Sequence, residues 1–135
     1  MGKTVFAVAV GAVVGLILAA LVGWFGGYAF PPQLPADMDP QLARTLPMPI
    51  GEILMGVLAW IVAGLGGGYL AVRQGDAGEW PAWAAAAVMA IGCVVFAIFW
   101  PHPIWFVILS VLIVAAAGFG AGRLAVHFDP EFEGA

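Results

Sequence analysis

The chain has 135 residues, 64% of them hydrophobic and 9% charged, with a mean hydropathy of +1.06. Soluble domains are about half apolar and a quarter charged, and a chain this short cannot hide so much apolar surface in one core, which excludes a soluble globular domain and a disordered chain. Four Lys plus Arg against eight Asp plus Glu leave no basic face for nucleic acid, and a single cysteine excludes a disulfide framework. What remains is an all-α integral membrane protein.

A membrane helix needs about 20 mostly apolar residues, because the hydrocarbon core is about 30 Å thick and each residue rises about 1.5 Å. Four stretches qualify: about 4–28, 50–72, 81–100 and 103–126. Their apolar runs are continuous, whereas barrel strands would alternate at period two. Lys3 followed by an apolar run could open a signal peptide. The run is too long for an h-region and no small-x-small cleavage site follows, so it is read as a retained span. Alternation of four spans puts Lys3, Arg73 and Arg123 on one side and Arg44 on the other, which predicts cytoplasmic termini. Trp24, Tyr28, Phe30, Trp100, Trp105 and Phe106 then mark the outer interface, and Trp80 and Trp83 the inner one.

The connection from Phe30 to Pro49 holds six prolines and is predicted to be extended. Within it, Asp39 can cap a short helix begun by Pro40, with Met38, Leu42 and Leu46 on one face. Arg73 to Trp80 reads as a polar turn. Pro101-His102-Pro103 makes the third and fourth spans antiparallel neighbours. Residues 128–135 form an acidic tail, expected to be mobile.

A shift of 54 aligns residues 47–73 with 101–127 at twelve identities in twenty-seven positions. Apolar helices resemble one another by composition, so the informative matches are the ends. Pro47-Met48-Pro49-Ile50 lies over Pro101-His102-Pro103-Ile104, and Gly64, Gly66 and Gly68 lie over Gly118, Gly120 and Gly122. The predicted architecture is therefore a four-helix bundle built from two duplicated hairpins. Because the copies run in the same direction, the expected symmetry is a two-fold axis along the membrane normal. Gly11 with Gly15, Gly64 with Gly68, and Gly118 with Gly122 are small pairs four apart on one helix face. In lipid, helices associate by close packing, which small residues permit, so these six are the candidate helix-packing residues. They predict a tight cytoplasmic half and a wider outer half.

Two polar candidates remain. Glu52, in the first turn of the second span, could be a proton or ligand site if buried, or a carboxylate facing water at a helix N-terminus. Its repeat partner is Phe106. His102 could titrate or bind a metal, yet the only other histidine, His127, lies across the membrane, so no two-His metal or haem site is predicted. Cys93 and Ser110 have no base at their depth and are read as inert. Trp60 is read as packing, and Arg73 and Arg123 as snorkelling to headgroups, a weak site for anionic lipid. No catalytic residue, metal site or cofactor is predicted.

Phe30-Pro31-Pro32, Leu46-Pro47, Ala59-Trp60, Gly66-Gly67-Gly68-Tyr69-Leu70-Ala71 and Pro101-His102-Pro103-Ile104-Trp105-Phe106 extend across most of the chain. In these features it resembles a loose group of small four-helix bacterial inner-membrane proteins of unassigned function. The resemblance implies that fold and that membrane, and it supplies no reaction. Members often carry polar residues late in the first helix, where this chain has Val22-Gly23-Trp24-Phe25-Gly26-Gly27. Small multidrug exporters use a carboxylate within their first helix, and this one has none; the polar and arginine settings of fluoride channels are also not found.

The sequence points to a non-enzymatic membrane protein that works by helix packing, as a homo-oligomer or an accessory subunit of a larger assembly. Membrane lipid and partner helices are its expected contacts. The competing readings are a small carrier or channel for an apolar or weakly polar solute, which a polar cavity at Glu52 would favour, and a lipid-binding protein.

Overall fold

The computed structural model describes residues 2–29, 39, 50–75, 78–99 and 103–128. They form four helices: α1 (Gly2–Ala29), α2 (Ile50–Gly75), α3 (Trp80–Phe99) and α4 (Ile104–Phe128). All four are long and apolar enough to cross a membrane. The short helix expected within the proline-rich connection, the His102 turn and the acidic tail lie outside the described residues.

Local chemistry sets the helix ends. The α2 helix continues through Arg73, Gln74 and Gly75, where the sequence predicts a polar turn. Its last turn is held by α1, because the Thr4 hydroxyl donates to the Gly75 carbonyl at 3.3 Å, meeting one of the carbonyls a helix end leaves open. Gly78 then adopts φ +77°, a left-handed conformation that glycine takes without steric cost. The Glu79 carbonyl accepts the Ala82 N–H at 3.0 Å and starts α3. Pro103 stands just before α4, with its carbonyl accepting the Phe106 and Val107 N–H groups at 3.0 and 3.2 Å.

Size, not polarity, separates inside from outside. Ala7, Ala63, Ala71, Ala82 and Ala85 are fully buried, joined by Met89, Val72 and Val114. Phe6, Ile17, Leu21, Phe25, Ile91, Ile98, Phe99 and Leu112 are exposed. Only 28% to 33% of each apolar window is buried, so most of every helix presents an apolar surface outward. Water would penalise that surface at about 25 cal/mol per Å², whereas hydrocarbon would not.

The helices pack α1 on α2, α2 on α4, and α4 on α3, with α3 also reaching α1 and α2. Among the described residues α1 and α4 do not approach each other. The expected two-fold symmetry is not confirmed by these approaches. A two-fold exchanging α1 with α3 and α2 with α4 would make the α2–α3 and α4–α1 approaches equivalent, and only the first is present. The cause is the turn of α4 about its own axis. α2 meets α1 through Ala63, Gly67 and Ala71. The equivalents Ala117 and Ala121 meet α2 instead, and α4 turns Gly118 and Gly122 to α3. One residue along a helix is about 100° of rotation, so aligned residues serve different neighbours.

Candidate functional site

The six spaced glycines all lie where helices meet. A Cβ on Gly11 would stand 2.5 Å from the Gly67 carbonyl oxygen, and a Cβ on Gly67 would stand 2.5 Å from the Gly11 oxygen. The approach is reciprocal and backbone to backbone. One turn on, a Cβ on Gly15 would meet the Ala63 oxygen at 2.8 Å and run into the Met89 sulfur. Met89 thus fills the groove between α1 and α2 from α3.

On the other side of α2, a Cβ on Gly64 would meet the Ala117 Cβ at 2.5 Å and the Gly118 nitrogen at 3.1 Å, while one on Gly68 would meet the Ala121 Cβ at 3.1 Å. Gly118 is itself turned to α3, where an added Cβ would meet the Ala86 Cβ at 2.5 Å. One on Gly122 would meet the Ala82 Cβ at 3.0 Å and the Glu79 oxygen at 3.2 Å. Each glycine removes the methyl that would hold two helices apart, and the gain is dispersion contact along the seam.

Glycine contacts also reach the other end of the bundle, where the filler differs. Gly26 receives Met55, whose Cβ would lie 2.9 Å from a Cβ added to that glycine, and Gly56 receives the Phe106 ring. There the glycines meet Met55 and Phe106 side chains, where at the first end they meet backbone and alanine methyls. Gly66 and Gly92 lie against Leu18 and Leu16 in the same manner; spacing alone does not single out these four.

Glu52 sits half-buried in the first turn of α2, and no ion pair or hydrogen bond to it is found among the described residues. Its repeat partner Phe106 is buried. His102 lies outside the described residues. Ser110 is buried and donates to the Phe106 carbonyl at 2.8 Å within its own helix, and the buried Cys93 is hydrogen-bonded to the Ser110 side chain. This pair is satisfied locally. Trp60 is buried in the core with Ala59 and Ala63. Among the described residues, no group of three His, Cys, Asp or Glu is placed to hold a metal.

A charged and aromatic ladder lies at the α2–α3 turn end. Arg123 Nε stands 3.8 Å from Glu79 Oε2. The Arg123 guanidinium lies over the Phe119 ring at 5.1 Å, within cation–π range. Phe119 stacks in turn on Trp83, with centroids 5.8 Å apart and planes 20° apart. The sequence carries a signal for this ladder: a three-residue turn makes α3 and α4 antiparallel, which brings the start of one beside the end of the other.

Comparison of the chain with family models, with curated proteins and with solved structures finds no match.

Proposed function

We propose that the chain is a non-enzymatic integral membrane protein that acts by helix packing, either as a homo-oligomer or as an accessory subunit of a membrane assembly. The observation that carries this reading is the arrangement by size. Small residues make up most of the interior, with Met89, Trp60 and Phe106 among the few large side chains buried there, while many large apolar side chains point outward on every helix, where lipid or another transmembrane helix would meet them. The bacterial inner membrane with cytoplasmic termini is the setting the basic residues and the group resemblance favour, and duplication of a hairpin is the proposed origin of the two glycine-rich helices.

All six spaced glycines are used within the chain, so contact with another chain falls to other positions. Gly23 and Gly27 on α1 are exposed, four apart, with nothing within 4 Å of an added Cβ. They are the surface on which the packing reading places a partner helix. The carrier reading draws on the sequence repeat, and no polar cavity at Glu52 accompanies it among the described residues.

The test is the mass of the species purified from native membrane. A symmetric oligomer or a defined complex with other chains supports the reading, and a lone chain that stays monomeric overturns it. Cysteine labelling from the periplasmic side checks the orientation: a probe at Gln41 is expected to react and one at Asp76 to be protected.

A further inference from the structure

The ladder at the α2–α3 turn end joins α4 to α3 and carries polar groups that packing alone does not require. Its two charges reach the surface to different degrees: the Arg123 side chain is 66% exposed and that of Glu79, part-buried, 29%. Their 3.8 Å separation is longer than a charge-assisted hydrogen bond, which runs about 2.7–2.9 Å. A guanidinium carries five N–H donors and a carboxylate about four lone-pair sites, so one long contact leaves both with capacity for a ligand. Phe119 and Trp83 lie one turn further into the bundle from Arg123 and Glu79, and both rings are about half exposed. They form an apolar shelf below the charged pair. Gly122 brings the Glu79 backbone against α4, which holds the carboxylate beside Arg123.

We propose that this ladder is a headgroup site for a zwitterionic aminophospholipid. The phosphate meets Arg123, the primary ammonium meets Glu79, and the acyl chains run over Trp83 and Phe119. Charge complementarity selects this class. The site offers both signs side by side with no net charge, and the headgroup offers a phosphate and an ammonium joined by an ethylene link. An anionic glycerol headgroup would meet the guanidinium but be repelled by the carboxylate. A choline headgroup carries the cation but has no N–H to donate to Glu79. The proposal rests on the chain spanning a membrane.

The test is lipid competition on the full chain, read by native mass spectrometry, with phosphatidylethanolamine, phosphatidylcholine and phosphatidylglycerol of identical acyl chains. The ethanolamine lipid is expected to be retained about threefold over each of the others, a modest factor because exposed ion pairs are weak. Glu79→Gln is expected to abolish the preference over phosphatidylglycerol, and Arg123→Gln to lower retention of all three lipids. Equal retention by the wild-type chain, or preference for phosphatidylglycerol, overturns the proposal, and this measurement needs no variant to fold. Alkaline carbonate extraction separates the two possible failures. A chain that stays in the membrane pellet yet shows no preference defeats only the lipid site, and a chain released to the supernatant defeats the membrane reading as well.

Discussion

The α1–α2 seam and the α3–α4 seam are both closed by glycines four apart, but they close in different ways. In the first, a Cβ added to either Gly11 or Gly67 would stand 2.5 Å from the other's carbonyl oxygen. In the second, Gly118 and Gly122 face the Cβ atoms of Ala86 and Ala82. The first is glycine on glycine, backbone against backbone. The second is glycine on alanine: its nearest obstacles are methyl groups, with the Glu79 and Ala82 carbonyls at 3.2 and 3.4 Å behind them. A backbone obstacle can be relieved only by moving a helix, whereas a methyl can be deleted. Similar glycine spacing thus produces one rigid seam and one that can be rebuilt.

Gly67→Ala is expected to have the largest effect. Its methyl would meet the Gly11 oxygen, with Met89 Cε at 3.1 Å and Gly15 Cα at 3.2 Å. Overpacking costs typically about 1–3 kcal/mol, and this variant belongs near the top of that range. Thermal unfolding in detergent would show it, and a loss below that of Gly118→Ala would erase the distinction between the seams.

Gly118→Ala is expected to cost about 2 kcal/mol, within the same range. The sharper measurement is the double variant Gly118→Ala with Ala86→Gly, which moves the methyl from one helix to the other. Recovery of most of the loss is expected here. If the double variant unfolds as early as the single one, the obstacle is not the Ala86 methyl. Gly122→Ala, with 3.0 Å to the Ala82 Cβ, should lose about 1 kcal/mol.

The smallest effect is expected at Gly23, where an added Cβ meets nothing within 4 Å. In the isolated chain Gly23→Ala should leave the unfolding midpoint unchanged or raise it slightly, since alanine is the better helix former by about 1 kcal/mol in soluble helices, and its effect is expected only in an assembly that seats a partner helix on this face. A clear fall in stability together with a smaller oligomer would mean that this face is covered by another chain.

How much of this was legible in the sequence follows from what apolarity can encode. The four long apolar helices were, because continuous apolar runs of this length have few alternatives. The helix extents agree with the expected 4–28, 50–72, 81–100 and 103–126 to within three residues at each end. The C-terminus of α2 differs most, since its last turn depends on Thr4, 71 residues away in the chain. Spacing places Gly64 and Gly68 on one face, but it does not say which helix that face meets. In a soluble helix the polar side fixes the rotation; here both sides are apolar. That is why the aligned Gly118 and Gly122 meet α3 while Gly64 and Gly68 meet α4. The ladder was partly legible, as the tight turn sets Glu79 and Arg123 at the same end. Its stacking order was not, because rotation about α4 decides whether Phe119 meets Trp83.

Met89 gives the bundle its compliance. It is fully buried on α3 and lies against both Gly15 and Gly67, so the first hairpin bears on the second partly through a thioether. A methionine side chain has three rotatable bonds and a polarizable sulfur, whereas the seam beneath it is backbone on backbone. The α2–α4 contact through Gly64 and Gly68 is close and stiff, so the Met89 contact is the adaptable part of the joint between the two hairpins. Oxidation of that sulfur to the sulfoxide would place a polar oxygen at the joint, turning an adaptable element into a wedge.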